Sequence, residues 1–425
     1  MDIIRKVRIK NYRGLNNIDF SPSSVNIIVG PNSTGKSSIL ESIGLTISSL
    51  NNFEDSLENN LLDVLTIDKE YKPKYFISSG EKHCEINLEI SRDDKESSNL
   101  QLSMDIFEKG YPDDEIGVLF FEYVNEYVDK FVKSKLRRTD RILQRRFYDK
   151  NIQNIEVEKR LKNILDILEG EKEKTEKDAE KIRQKMYSSG KLLLSSKTNN
   201  DIINVSVVQL EIDSDFESIQ NEFVPFEDTT VYHDEYLAEK LFIPMFSNFH
   251  MIGYSDDTFD LYKRLVKANK IDKAIETIRT RIHLKDIREG TDGGLSILQE
   301  NKESLPLSLM GDGFNALLRL TFMVTLVSRG IVLLEEPETN LHPYYLEILA
   351  EEIIRNSKYS QFFISTHNIE LLNYIFNKAE ELGSLESINI LRLIKLPDGF
   401  IEREVISGNN AKKEIEEIKS DLRRS

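Results

Sequence analysis

Two short segments carry a lysine, hydroxyls and acids at spacings that suit phosphate chemistry. Gly30–Ser37 reads GPNSTGKS, directly after the β-branched run Val25–Val29. Its glycines let backbone N–H groups turn inward on phosphate oxygens, and a helix starting there adds its N-terminal dipole. Lys36 would neutralise the β- and γ-phosphates of a nucleoside triphosphate, and the Ser37 hydroxyl would ligate magnesium. About 300 residues later, 331–338 read IVLLEEPE. Its apolar strand residues would carry two carboxylates to the C-terminal edge of a sheet. There Glu335 would hold magnesium through a water, and Glu336 would orient and deprotonate an attacking water.

Two further segments extend the constellation. ISTHN at 364–368 puts His367 just past a strand, where an imidazole can contact a γ-phosphate. SLMGDGFNALLRL at 308–320 has Ser308, Gly311 and Gly313 leading into a helix, a second anion-binding device. One site has no use for two such devices, so the second is expected to serve a nucleotide held by another subunit.

The elements that must position these residues are legible from periodicity. Residues 2–10 and 25–29 read as strands, with a turn at 11–14 and a helix over 37–49. The runs 74–79, 84–91 and 100–107 alternate apolar with polar residues and suggest an antiparallel meander. Between about 116 and 190 the spacing is helical. EGEKEKTEKDAEKIRQK at 169–185 leaves only Ala179 and Ile182 to bury, as in a protruding helical hairpin or short coiled coil. Residues 190–235 return to strand-containing patterns, and 256–287 read as helical. A hairpin is expected over 293–310, helices over 314–327 and 343–355, and strands over 331–336 and 361–366. The result is an α/β fold with a largely parallel sheet behind a leading phosphate loop. The expected divisions are an N-terminal lobe over 1–115, a mainly helical insertion over 116–235, a C-terminal lobe over 236–408 and a charged, frayed tail over 409–425.

At 425 residues the chain is too long for one simple core. Its 39% hydrophobic and 31% charged residues describe a globular protein with charged helical surfaces. No apolar run approaches membrane-spanning length, and the start MDIIRKVRIKNYRGL lacks a signal-peptide core, so a cytoplasmic, membrane-free protein is expected. A single cysteine, Cys84, excludes an intramolecular disulfide or a Cys-only metal cluster. The net charge of −16 argues against a uniformly basic, DNA-coating surface. One run departs from that balance: KSKLRRTDRILQRR at 133–146 carries seven Lys/Arg and one Asp. It is either a solvated helix face paired with acidic neighbours or a patch for DNA or an acidic partner.

In this order, the phosphate loop, serine–glycine segment, acidic strand and histidine resemble the ABC-type ATPase heads of the SMC, RecF and double-strand-break-repair group. NYRGL at 11–15 resembles the element that opens those heads, and EEPETNLHP resembles the overcoming-lysogenization-defect (OLD) family of AAA-labelled, ABC-type ATPases. The resemblance covers the two terminal lobes, about 200 residues, and implies ATP and Mg2+ as cofactors. It implies that Gly30, Pro31, Asn32, Ser33, Thr34, Gly35, Lys36, Ser37 and Ser38 form the nucleotide loop, with Arg13 as a further contact. Ser37 and Glu335 would hold the metal, Glu335 standing where the wider group has aspartate. Glu336 would be the catalytic base and His367 the switch. Asn340 and His342 would lie in the loop crossing a dimer interface, and Ser308 and Gly311 would close over the partner's ATP. The segment SLMGDG departs from the transporter signature, and the glutamine-loop residue stays open among Gln101, Gln144 and Gln209. The implied assembly is a homodimer or higher oligomer around ATP, coupled to DNA or to an antiphage complex. Full-length OLD proteins add a Toprim nuclease; about 58 residues follow His367 here, so a nuclease or toxin effector is expected to be a separate protein.

Overall fold

The computed structural model of the chain describes residues 2–49, 61–63, 65, 72–92, 97–107, 110, nine scattered positions within 118–135, 155–188, 190–199, 201–209, 230–233, 258–290, 293–300, 303–326, 330–339, 341–397 and 399–417. The chain forms two units: residues 1–103, 196–203 and 234–425, and residues 104–195 and 204–233.

In the first unit, β1 (Asp2–Tyr12) and β2 (Leu15–Phe20) form an antiparallel hairpin with Tyr12 opposite Leu15. β3 (Val25–Val29) is buried at every residue, as an unbroken apolar run implies for a strand covered on both faces. α1 (Lys36–Ser48) follows the phosphate loop and is buried along nearly its whole surface. β4 (His83–Arg92) pairs antiparallel with β1, and β5 (Ser98–Phe107) follows it in the order β2-β1-β4-β5. Cys84 is buried within β4. The strand expected over 74–79 is not one. Pro73–Tyr75 form a 3-10 turn, and only Ile77 bridges to Tyr12. The backbone there is used by the β1–β2 turn instead: Ser78 N–H donates to the Asn11 carbonyl at 2.9 Å, and Arg13 N–H to that of Phe76 at 3.0 Å.

The second unit contains α2 (Ile155–Ser188) and parts of β6 (Lys191–Thr198) and β7 (Asp201–Gln209), and β8 (Thr230–His233) pairs antiparallel with β7. Ala179 and Ile182 are buried in α2, while Lys177 and Glu173 form an exposed ion pair one turn apart. Of the basic run 133–146, only Lys133 and Lys135 are described; Lys135 lies 3.5 Å from Asp178 of α2.

The remaining elements belong to the first unit. α3 (Thr258–Lys267) and α4 (Ile271–Ile282) are helical as expected, but the helix stops at His283, whose left-handed backbone (φ 54°) turns the chain into β9 (Leu284–Glu289). β9, β10 (Leu295–Gln299) and β11 (Ser304–Pro306) make a small antiparallel sheet. α5 (Asp312–Leu326), β12 (Ile331–Glu335), α6 (Pro343–Asn356), β13 (Gln361–Ser365) and α7 (Ile369–Glu381) follow. β14 (Ile388–Lys395) and β15 (Ile401–Ser407) lead into α8 (Gly408–Glu417). The tail expected to fray from 409 is instead helical as far as Glu417, with Ala411 buried against the core.

The central sheet runs β12-β13-β3-β14-β15, with β12, β13, β3 and β14 parallel and β15 antiparallel. A single apolar core joins β3, β12 and β13 to α3–α7. Burying about 25 cal/mol per Å2 of apolar surface across that core fixes the sheet on which the site is built. The fold is α/β, and the four parallel strands of its central sheet all end on one edge. Among the described residues, no helix is long and apolar enough to cross a membrane.

Candidate active site

Register decides which side chains meet. Glu335 on β12 pairs with Ser365 on β13, and Ser365 pairs with Ile28 on β3. Parallel strands in that register release their next residues on the same edge. β3 therefore opens into Gly30, β12 into Glu336, and β13 into Thr366 and His367.

The loop after β3 requires glycine at two points. Gly30 has φ 151°, and a Cβ there would stand 2.6 Å from the Leu393 carbonyl oxygen. Gly35, at φ 86°, caps α1, and its Cβ would meet Leu15 Cδ2 at 2.5 Å. Ser33 is also left-handed, at φ 62°. Thr34 Oγ1 donates to the Pro31 carbonyl at 2.9 Å and Lys36 Nζ to those of Gly30 and Pro31 at 3.1 and 2.9 Å. Asn32 and Ser33 are exposed at the rim, Ser37 is half-buried in the first turn of α1, and Ser38 is buried. Burial pushes the Lys36 ammonium below its ordinary pKa, while Glu336 and Glu335 pull it back up.

Glu336 is held in a left-handed conformation (φ 43°), a backbone region that costs a residue with a side chain about 1 kcal/mol or more. Its N–H donates to the Ser365 carbonyl at 2.9 Å, and its own carbonyl accepts from Thr339 N–H at 3.0 Å and Thr339 Oγ1 at 2.9 Å. The turn sends the carboxylate outward, and Oε1 lies 3.4 Å from His367 Nε2. Behind this pair, Glu338 Oε1 accepts from Thr366 Oγ1 at 2.6 Å and from His367 N–H at 3.0 Å. Burial pushes the Glu338 carboxyl up, and these two hydrogen bonds work against that rise. Sequence reasoning gave Glu338 no role. The signal was the third acid of IVLLEEPE, two residues past the proposed base.

Arg13 is left-handed in the β1–β2 turn, and its guanidinium pairs with Glu41, which is buried in α1. A second cluster lies at the start of α5. Ser308, Leu309, Gly311 and Asp312 are exposed there, with Leu309 72% accessible. Phe314 N–H donates to the Gly311 carbonyl at 3.0 Å, and Asn315 N–H to the same oxygen at 3.2 Å. His342 caps α6, with Nδ1 accepting from Tyr344 N–H at 3.3 Å. Asn340 and Gln144 lie outside the described residues. Gln101 donates to Ser103 Oγ at 3.1 Å, and Gln209 ends β7.

The residues fit a nucleotide with one magnesium ion. Among the described residues, no three His, Cys, Asp or Glu side chains gather into an all-protein metal cage. The Ser37 hydroxyl and the Glu335 carboxylate are hard oxygen donors, the type that magnesium takes together with substrate phosphates.

The AAA ATPase domain family matches residues 3–372. An uncharacterized protein of Methanocaldococcus jannaschii is 29% identical over 76 residues, 17% of this chain and 67% of that protein. Among solved structures, the SMC head domain from Thermotoga maritima aligns with a TM-score of 0.43 and 13% identity, covering 95% of this chain and 98% of that one. The Pyrococcus furiosus Smc head domain bound to the C-terminal domain of ScpA aligns with 0.46 and 15%, covering 99% and 100%.

Proposed function

Because the chain belongs to the AAA ATPase domain family, we propose that it is a slow, magnesium-dependent ATP hydrolase in which Glu336 is the catalytic base. The supporting observation is the register that sends the phosphate loop, Glu335–Glu336 and His367 off one sheet edge. In this reading the backbone of Gly30–Gly35 and Lys36 Nζ bind the phosphates. Ser37 and Glu335 hold magnesium, which supplies charge neutralisation when bound. Glu336 accepts the proton of the attacking water and, at 3.4 Å, shares its charge with the His367 imidazole.

A second copy of the chain closes each site. Ser308 and Gly311, exposed ahead of α5, cover the partner's nucleotide, and His342 and Asn340 lie in the loop that crosses between copies. The helical stretch within 116–235 passes closure to DNA or to a separate effector, a nuclease or toxin. The sequence EEPETNLHP favours an OLD-like antiphage complex over a repair motor. Lys36→Ala is expected to weaken ATP binding about 10- to 100-fold, the loss of ~1.5–3 kcal/mol of charge-assisted hydrogen bonding. Equilibrium dialysis with ATP and magnesium measures this. Unchanged affinity would remove the phosphate loop from the account.

A further inference from the structure

We propose that Glu338 is a positioning residue for hydrolysis, clasping the turn after β13 so that His367 stands against Glu336. This inference rests on the hydrolase reading above and names a residue that the reading does not use.

The clasp is specific in its geometry. One carboxylate oxygen, Oε1, accepts both the Thr366 hydroxyl at 2.6 Å and the His367 backbone N–H at 3.0 Å. Thr366 Oγ1 in turn accepts from Asn368 N–H at 2.9 Å, and the Asn368 side chain caps α7 through Glu370 N–H at 2.7 Å and Leu371 N–H at 3.0 Å. One line of hydrogen bonds thus runs from the segment after β12, across the β13 turn, to the head of α7. His367 joins this line through its backbone N–H. Its ring stands 3.4 Å from Glu336, with about a third of the side chain exposed, and the Glu338 contact fixes the backbone from which that ring projects.

Glu336 is fixed from the other direction, by its own N–H on the Ser365 carbonyl. The two groups therefore hang from adjacent strands, and Glu338 is the side chain that crosses between them. Its second oxygen, Oε2, is buried with no hydrogen-bond partner among the described residues. A buried carboxylate placed there for stability alone would be a poor choice, because desolvating it costs more than one shared oxygen recovers. A fixed acceptor that orients a reacting neighbour gives that cost a purpose.

The distinguishing comparison is Glu338→Ala against Glu338→Gln. Glutamine keeps a carbonyl oxygen for both donors and sets its amide where Oε2 makes no bond; alanine removes the acceptor. If aim is what Glu338 supplies, Glu338→Ala loses about 100-fold in kcat with KM nearly unchanged, as expected for a displacement of about 1 Å. Glu338→Gln then restores most of the loss. Thr366→Val, which keeps shape and removes the hydroxyl donor, gives a smaller loss in the same direction and serves if Glu338→Ala does not fold.

A second readout needs no turnover. In His-labelled protein without nucleotide, Glu336→Gln should move the His367 side-chain NMR signal, and in a Glu338→Ala background that coupling should vanish. Wild-type kcat in Glu338→Ala, or coupling that survives in that background, overturns the inference. A wild-type protein that never hydrolyses ATP instead overturns the hydrolase reading, while the NMR comparison still decides whether Glu338 aims the ring.

Discussion

Two buried lysines show how neighbours decide what burial does to a charge. Lys36 is pushed down by burial, but Glu336 and Glu335 favour its protonated form, and the ammonium is what a polyphosphate needs. Lys191, in the second unit, is driven by burial from 10.5 to about 8, with Nζ donating to the Gly110 carbonyl at 2.7 Å and the Tyr187 carbonyl at 3.2 Å. Its folded pKa lies below its unfolded one, so the unfolded chain binds more protons between them. Stability therefore rises with pH from about 8 to 10.5. Urea midpoints at the two ends of that window should diverge in wild-type protein and lie closer together in Lys191→Met. Parallel pH dependence in both would show that Lys191 does not titrate differently on folding.

At the scale of elements, the β3–loop–α1 unit stands on glycines that do two jobs at once. Gly35 needs both a left-handed backbone and the space that Leu15 fills, whereas Gly80, at φ 88°, has open space around it. Gly35→Ala is expected to cost more than the about 1–2 kcal/mol that Gly80→Ala costs from backbone strain alone. Equal urea midpoints for the two variants would remove Leu15 from the explanation.

The same element shows what a sequence can convey. β3, α1, β12 and β13 were legible because apolar runs, punctuation and hydroxyl–acid chemistry coincide over a few residues. What the sequence hid was long-range. The segment 74–79 alternates like a strand, yet its backbone satisfies the β1–β2 turn, a partner more than 60 positions away. The helical pattern over 256–287 runs past a left-handed His283 that nothing in the local spacing announces. Glu338 drew no role from the sequence, because its donors, Thr366 and His367, arrive from the neighbouring strand.

At the scale of the molecule, the long interval between Gly30–Ser37 and Glu335–Glu336 is spanned by a sheet whose order inserts β13 between β12 and β3. Glu336 and the phosphate loop follow strands two places apart, with the strand leading to His367 between them, so all three depend on one register. At Ser308–Gly311, ahead of α5, Ser308, Leu309 and Gly311 are exposed. That exposure leaves the segment open to a nucleotide on a second copy. The most direct test is steady-state phosphate release by Glu336→Gln beside wild type, with bound ATP and assembly mass followed in the same samples. The account predicts turnover reduced about 100-fold or more, with ATP retained in a dimer. Turnover within about threefold of wild type would contradict it.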